Sequence, residues 1–183
     1  LSEVRINREL QAPDSLGSTR HIELSLPAGD IGSAGDHLGV FPSNPPALVA
    51  AALAHCGIDP EATVLLTALK PEAEAEEGLP LGVPVHVGEL LAEHVDLAGP
   101  VTRRDLRAWA KAARCPPDQA RIAQWLADFP SLAAGKPRMM DLLAQVPSVQ
   151  LDLAALVSLR PALKPRYYSI SSSPLLSPDS CTL

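Results

Sequence analysis

The sequence is poor in aromatic residues, which make up 3% of its 183 residues, and it has no long hydrophobic run. No stretch approaches the roughly 20 consecutive apolar residues that cross a bilayer, so no membrane span is predicted. Basic charge does not predominate either, because 15 Lys and Arg face 21 Asp and Glu, a formal net charge of -6. With no basic stripe interleaved with aromatics, nucleic acid is not an expected partner.

Signals for secretion and for covalent or metal staples are also missing. The N-terminal segment LSEVRINREL has neither a basic n-region nor an apolar h-region. The three cysteines, Cys56, Cys115 and Cys181, are odd in number and form no C-x-x-C pair. We therefore expect reduced thiols in a cytoplasmic protein, with Cys56 and Cys115 packing as small hydrophobes.

Several chemical motifs are absent. The five histidines are scattered, at His21, His37, His55, His86 and His94. None forms the i, i+4 pair of a helical metal site, so no metal is predicted. The glycines around Gly35 do not match G-x-G-x-x-G, Gly135-Lys136 lacks the Ser or Thr of a P-loop, and the serine run has no G-x-S-x-G elbow.

The first forty residues have the pattern of β-structure. Val4 and Ile6 alternate with polar residues, and Ile22, Leu24 and Leu26 do the same, as in half-buried strands. Turn residues between positions 13 and 17 separate the two strands. A glycine cluster follows the second strand: Gly29, Gly32 and Gly35.

From Asn44 the apolar period becomes helical. Asn44 is predicted to be the N-cap of a helix that has Pro45 at its first position and stops at Gly57. Thr102 and Asp105 resemble a capping box at the start of a later helix. Further apolar stripes around Trp109, Trp125 and Leu142 and near 153–157 extend the helical pattern to about residue 160.

Two segments interrupt or end this helical block. PEAEAEEG at 71–78 carries like charges between a proline and a glycine, which favours a solvated loop over an acidic docking patch. Pro161 and Pro165 precede RYYSISSSP, which is strand-like again. The order of elements predicts a β-domain interrupted by a helical insertion.

The chemistry-bearing residues are concentrated at 166–173, which hold a guanidinium, both tyrosines and four hydroxyls. On a strand, Arg166 and Tyr168 project to the same face. A dinucleotide flavin offers a complement to each, a pyrophosphate for the guanidinium and a flat ring for the tyrosine, while Ser169 could address the polar edge. An ordinary strand followed by a Ser-rich turn ending at Pro174 is the alternative interpretation.

PRYYSISSSP resembles the Arg-x-Tyr-Ser flavin signature of the diflavin reductases, the family of NADPH-cytochrome P-450 reductase, sulfite reductase flavoprotein and the nitric oxide synthase reductase domain. GDHLGVFPSN at 35–44 resembles the strand before the connecting insertion of that family, and STRHIEL at 18–24 an early barrel strand. VTRRDLRAWA and RCPPDQ are most similar to the reductase part of self-sufficient bacterial fatty-acid hydroxylases. These similarities follow one another in the same order along the chain.

The resemblance implies an α+β fold, an antiparallel β-barrel of ferredoxin reductase type interrupted by an all-α connecting domain. Residues 1–44 would form the first part of the FAD-binding barrel, 45–160 the helical insertion and 161–183 the return to the barrel, which would be partial.

It also implies roles for individual residues. Arg166 would neutralise the FAD pyrophosphate, Tyr168 would stack on the isoalloxazine, and Ser169, the candidate catalytic residue, would bond near its redox-active edge. Tyr167 belongs to the same run. Cys181, Thr182 and Leu183 resemble the next barrel strand, whose main chain lies along the flavin, and Arg20 matches an arginine that approaches the NADPH phosphates.

The implied reaction is hydride transfer from NADPH to FAD, followed by electron passage through FMN to a haem monooxygenase. FMN, haem and NADPH would occupy other domains of a full-length chain, and we expect no activity from these 183 residues alone. A sulfite reductase flavoprotein-type reductase and a non-catalytic helical scaffold that orients neighbouring domains are the alternatives.

Overall fold

The computed structural model describes residues 2–27, 33–68 and 78–183. These residues form a mixed α/β structure whose strands pair antiparallel in three sheets, none of them closed into a barrel. Two compact units divide the chain, one comprising Leu1–Phe41 with Pro165–Leu183 and the other Pro42–Lys164. The assignment of 1–44 and 161–183 to a flavin domain, and of 45–160 to a connecting insertion, stays a prediction.

Seven strands, seven α-helices and one π-helix occur among the described residues. The strands and helices are β1 (Val4–Glu9), β2 (Arg20–Ser25), β3 (His37–Val40), α1 (Pro46–Cys56), β4 (Thr63–Leu65), β5 (Pro84–His86), α2 (Val87–Glu89), a π-helix (Leu90–His94), α3 (Arg103–Ala112), α4 (Pro116–Ala127), α5 (Phe129–Ala134), α6 (Met139–Leu143), α7 (Leu153–Leu159), β6 (Arg166–Ser169) and β7 (Ser180–Thr182).

The first unit holds two sheets. One has the strand order β1-β2-β7, and the other pairs β3 with β6. Hydrogen bonds join them at one place, where the main-chain N–H of Ser171 donates to the carbonyl of Thr182 (2.9 Å) and the N–H of Thr182 donates to the hydroxyl of Ser172 (3.0 Å). The segment that follows β6 is thereby tied to β7.

The predicted strands near residues 4 and 22 exist as β1 and β2, but β1 is not half-buried. Val4 is 55% and Ile6 42% exposed, and the pairing with β2 shifts register between them. The alternation of apolar and polar residues predicted that one face of β1 would be buried. In the structure β1 is the outer strand of its sheet, and both of its faces are exposed. Of the glycines predicted to follow β2, Gly29 and Gly32 lie outside the described residues.

The second unit confirms the helical periodicity and corrects one cap. Thr102 and Asp105 form the predicted capping box at α3, and α1 ends at the predicted stop. Asn44 does not cap α1, whose N-cap is Pro45 without a side-chain bond. The buried Asn44 amide instead donates to the carbonyls of Leu91 (2.7 Å) and Val95 (2.6 Å), one inside the π-helix and one directly after it.

This unit is not all-α, contrary to the sequence prediction. β4 and β5 pair antiparallel, with Thr63 opposite His86 and Leu65 opposite Pro84. Each strand has three residues, too few for period-2 alternation to be distinguished from an irregular segment. The acidic 71–77 portion of the predicted loop lies outside the described residues.

One hydrophobic core fills the second unit. Trp109, Leu106 and Ile122 are fully buried, as the helical stripes predicted. Residues with no helical stripe join them, notably Leu90 and Leu91 of the π-helix. Burying side chains of this size contributes about 1.5 to 3 kcal/mol each, so the core is the main stabilising element of the unit.

A buried ion pair sits inside this core. The side chains of Arg160 and Asp105 are 2% and 0% exposed, with Nη1 3.5 Å from Oδ2. The Arg160 guanidinium also donates to the carbonyls of Asp96 (2.8 Å) and Pro100 (3.3 Å). Asp105 Oδ2 also accepts the N–H (2.7 Å) and the hydroxyl (2.8 Å) of Thr102, whereas Asp105 Oδ1 has no hydrogen-bond partner among the described residues. These bonds offset part of the cost of desolvating the two charges.

Within the described ranges, no helix is both long and apolar enough to cross a membrane.

Replacing Gly99 by alanine tests the packing around Arg160. An added Cβ at Gly99 would lie 2.6 Å from Arg160 Nη2 and 2.6 Å from Asp96 Oδ2, so the buried guanidinium must shift and weaken its bonds. We expect the free energy of unfolding to fall by about 2 to 3 kcal/mol, measured by urea denaturation. Gly135→Ala is the matched control, since its new Cβ would meet only a carbonyl oxygen at 3.5 Å. Equal stability of the two variants would contradict this account.

Candidate functional site

The chemistry-bearing run 166–169 forms strand β6, and its partner β3 sets the direction of each side chain. The register pairs His37 with Ser169, Leu38 with Tyr168, Gly39 with Tyr167 and Val40 with Arg166. Cross-strand partners in an antiparallel pair share a face. The ladder therefore fixes which functional groups can meet one ligand.

Alternation along β6 separates the predicted site residues into two pairs. Arg166 and Tyr168 lie on one face, as predicted. Tyr167 and Ser169 lie on the opposite face, so the hydroxyl of Ser169 does not stand beside the Tyr168 ring across a single strand surface. A ligand that meets both Tyr168 and Ser169 has to pass an edge of β6.

Both tyrosine rings are open to ligand. Tyr167 is 69% and Tyr168 44% exposed, unusual for large aromatic groups on a paired strand. The ring of Tyr167 lies over Gly39, where an added Cβ would be 3.2 Å from Cε1. Gly39 thus provides the space in which this ring rests.

The charged member of the run is also available. Arg166 is exposed, and among the described residues no carboxylate lies within 4.0 Å of its guanidinium. An arginine with planar donors and no ion-pair partner suits bidentate binding of a phosphate or pyrophosphate.

The outer edge of β6 presents main-chain groups of two residues that bond to no other described residue. The N–H of Ile170 donates to the carbonyl of Asp36 across the ladder (2.7 Å). Because hydrogen-bonded and non-bonded positions alternate, Tyr168 also bonds toward β3, whereas the N–H and C=O of Tyr167 and Ser169 point away from it. This edge adjoins both faces of the strand.

Cys181, Thr182 and Leu183 lie on or directly after β7, with Thr182 bonded to the segment after β6. Their main-chain donors are already used. The N–H of Leu183 donates to the carbonyl of Ile22 and its carbonyl accepts the N–H of Ile22. Because bonded positions alternate along the ladder, Cys181 bonds to Leu24 in the same way. The N–H of Thr182 donates to the hydroxyl of Ser172. The side chain of Cys181 is 1% exposed, and burial raises the pKa of its thiol.

Arg20 lies on β2 and bonds to β1. Its Nη1 donates to Asn7 Oδ1 (3.0 Å), and its Nε is 3.9 Å from Glu9 Oε2. The structure therefore gives Arg20 neighbours on β1 and no bond to β6 among the described residues. Its predicted role toward NADPH stays a prediction.

Glu9 organises the turn next to Arg20. Its Oε1 accepts the N–H groups of Leu10 (3.0 Å), Gln11 (2.9 Å) and Thr19 (2.9 Å), and its Oε2 accepts the Ser18 hydroxyl (2.5 Å). These bonds, that of Ser18 foremost, lower the pKa of Glu9 from 4.5 to about 2. A carboxylate that accepts several N–H and O–H bonds is stabilised in its charged form.

Sequence reasoning missed His37. It is the partner of Ser169 in the ladder, and its Nε2 lies 3.3 Å from Ser169 Oγ. The strand at 37–40 was predicted, but only the register with β6, a contact across 132 positions, joins this imidazole to the candidate site. A scattered histidine carries no such information in sequence.

One group of possible metal ligands occurs within residues 2–27, 33–68 and 78–183. Donor atoms of Glu89, Glu93 and His94 lie within 4.8 Å of one another. Both carboxylates are exposed, and His94 Nδ1 already lies 2.9 Å from the carbonyl of Gly78. Exposed acidic clusters of this kind are common on protein surfaces.

Comparison with known families decides the class of the chain. The model of the family described as "FAD binding domain" matches residues 1–183, the whole chain. The chain belongs to the FAD binding domain family. Strand β6, with its exposed tyrosines and arginine, lies within the matched range.

Curated relatives agree with this membership. The chain is 38% identical over 172 residues to a bifunctional cytochrome P450/NADPH–P450 reductase of Bacillus subtilis, covering 92% of this chain and 16% of the relative. It is 35% identical over 184 residues to a self-sufficient cytochrome P450 monooxygenase of Phanerodontia chrysosporium, covering 100% and 17%. A bifunctional cytochrome P450/NADPH–P450 reductase of Bacillus cereus shares 36% over 174 residues, covering 93% and 16%.

The chain thus spans about a sixth of the length of these curated relatives. The predicted resemblance to reductases fused to haem monooxygenases is confirmed by these matches.

The low pKa of Glu9 predicts acid resistance of the turn at residues 10–19. Because the pKa of Glu9 is lower in the folded state, the ionised carboxylate stabilises the fold at pH values above its ordinary pKa of 4.5. This stabilisation is lost as the pH falls through about 2. An NMR titration should show the Glu9 carboxyl and the Thr19 amide changing together with a midpoint near 2.

Ser18→Ala should raise that midpoint, since the Ser18 hydroxyl is the largest cause of the shift. Ser15→Ala is the control, because Ser15 Oγ donates to Gln11 Oε1 and not to Glu9. A wild-type midpoint at the ordinary glutamate value would refute the network.

Proposed function

We propose that the chain binds FAD and forms the FAD-binding and connecting portion of an NADPH-dependent diflavin reductase that supplies electrons to a haem monooxygenase. The observation that carries the proposal is the position of Arg166 and Tyr168 on one exposed face of β6, within a chain of the FAD binding domain family. The names of the relatives, cytochrome P450/NADPH–P450 reductases, support the choice of electron donor and acceptor.

The residues present fit FAD. The Arg166 guanidinium has no carboxylate within 4.0 Å among the described residues, so it is available to the pyrophosphate. Tyr168 lies two positions along on the same face and offers a ring that is 44% exposed to the isoalloxazine. Aromatic stacking of this kind contributes about 0.5 to 1.5 kcal/mol beyond the buried area.

Ser169 reaches the same cofactor from the edge of the strand. Its hydroxyl is on the face opposite Tyr168, while its N–H and C=O point to the outer edge. A flat ring that stacks on Tyr168 and extends past this edge places its polar rim within reach of Ser169. Tyr167 lies beside that edge on the Ser169 face and would border the cofactor there.

Bound FAD would supply hydride acceptance and single-electron donation, and the residues of this chain would bind and orient it. NADPH, FMN and haem would be held by other parts of a full-length protein, whose FMN, NADPH and haem domains are the proposed partners. Arg20 would approach the NADPH phosphates. The Cys181–Leu183 segment would line the flavin through the side chains of Thr182 and Leu183, since its N–H groups are used and the Cys181 side chain is buried.

In this proposal the two sheets of the first unit belong to a β-barrel of ferredoxin reductase type, and the helical unit is the connecting insertion. The hydrogen bonds between Ser171 and Thr182 support the barrel, because they join the two sheets edge to edge. All three cysteines are free thiols, which favours a reducing, cytoplasmic compartment.

Arg166→Ala should weaken FAD binding by roughly 10- to 100-fold, the cost of about 1.5 to 3 kcal/mol for a lost charge-assisted contact. Titration of the purified chain with FAD, followed by quenching of flavin fluorescence, measures the dissociation constant. Arg8→Ala is the matched control, because Arg8 is an exposed arginine on β1 in the same unit.

An unchanged dissociation constant in Arg166→Ala would reject the assigned pyrophosphate contact. A wild-type chain that neither carries nor takes up FAD would instead favour the helical scaffold, which needs no flavin. A sulfite reductase flavoprotein-type reductase would bind FAD equally well, and only its acceptor would differ.

A further inference from the structure

His37 faces Ser169 across the ladder at its point of closest approach. Ser169 is a non-hydrogen-bonded position, where directly opposed side chains come nearer to each other than at bonded positions. Its Oγ lies 3.3 Å from His37 Nε2. Both side chains are exposed, so packing does not force this contact.

We propose that His37 is a positioning residue that orients the hydroxyl of Ser169 toward the flavin, an inference that rests on the proposed FAD site. Because Ser169 is the last residue of β6, its hydroxyl would otherwise rotate among three staggered positions. A hydrogen bond to the imidazole selects one of them. His37 acts through Ser169 and needs no contact with the cofactor.

The imidazole also sets the polarity of that hydroxyl. When Nε2 carries a proton and donates to Oγ, the hydroxyl proton of Ser169 is free to donate to an acceptor on the ligand. When Nε2 is the unprotonated nitrogen, it accepts the hydroxyl proton, and Oγ presents only lone pairs to the ligand. The polar edge of a flavin accepts a hydrogen bond when oxidised and offers an N–H when reduced, so one His37–Ser169 pair can serve both states.

The neighbours of His37 and Ser169 on their face of the ladder are Gly39 and Tyr167. Tyr167 shares this face with Ser169, and its ring lies over Gly39, the residue opposite it in the ladder. A Cβ added at Gly39 would lie 3.2 Å from Tyr167 Cε1, so the glycine provides the space that this ring occupies. A larger residue at 39 would move the ring along the face on which the pair lies.

The test compares His37→Leu, His37→Gln, Ser169→Ala and the double variant His37→Leu/Ser169→Ala, with His21→Leu as control. His21 lies on β2, in the other sheet of the same unit. Visible circular dichroism of bound FAD reports the flavin environment, and fluorescence titration gives the dissociation constant. Glutamine can place a polar nitrogen or oxygen where Nε2 lies, whereas leucine cannot.

His37→Leu and Ser169→Ala should each weaken FAD binding by roughly five-fold, the value of one net hydrogen bond, and alter the visible dichroism in the same way. The double variant should be no worse than either single variant, because both remove one interaction. His37→Gln should restore the wild-type spectrum, and His21→Leu should leave it unchanged. Additive losses, roughly 25-fold in the double variant, or a wild-type spectrum in His37→Leu would overturn the inference.

A second measurement needs no flavin and no histidine variant. The ¹⁵N resonances of the His37 imidazole should move between the wild-type chain and Ser169→Ala, and unmoved resonances would overturn the pair. The two proposals fail separately, since a wild-type chain that binds FAD but shows no His37–Ser169 coupling rejects only this inference. A wild-type chain that does not bind FAD rejects both.

Discussion

The register between β3 and β6 is the constraint on which the candidate site depends. Pairing Val40 with Arg166 and His37 with Ser169 puts the cation and one ring on one face and the other ring and the hydroxyl on the opposite face. If β6 slipped by one residue along β3, each of its side chains would move to the opposite face. Arg166 would then lie opposite Gly39, where Tyr167 lies now. In the proposed site, flavin recognition would depend on the pairing of two four-residue strands as much as on the residues of β6 themselves.

Much of this arrangement can be predicted from sequence where local chemistry is decisive. The Thr102–Asp105 capping box needs only residues three apart, and Arg166 with Tyr168 needs only the period of a strand. Prediction failed where a distant contact outweighs the local signal. Asn44 has good capping chemistry, yet its amide donates to the carbonyls of Leu91 and Val95, 47 and 51 positions away, and no cap propensity contains that information.

The same reasoning separates what was foreseen at the site from what was not. β6 was found because aromatic, cationic and hydroxyl residues are crowded into one run. His37 was overlooked because its importance comes from its partner across the ladder, and the exposure of β1 was overlooked because period-2 alternation does not reveal whether a strand is internal or at an edge. Burial and register are properties of the assembled sheet.

Main-chain hydrogen bonds within the chain limit how residues 181–183 could hold a cofactor. The N–H groups of Thr182 and Leu183 donate inside the chain, to Ser172 and Ile22, so neither remains available to a ligand. On β6, alternation leaves the N–H groups of Tyr167 and Ser169 pointing away from β3. In the proposed site, main-chain contacts to a flavin edge would come from β6, next to the Ser169 hydroxyl, and the two contacts would converge on the same rim of the ring. A ligand bound there would contact both faces and the outer edge of β6. Such a ligand would account for the varied side chains of this short strand.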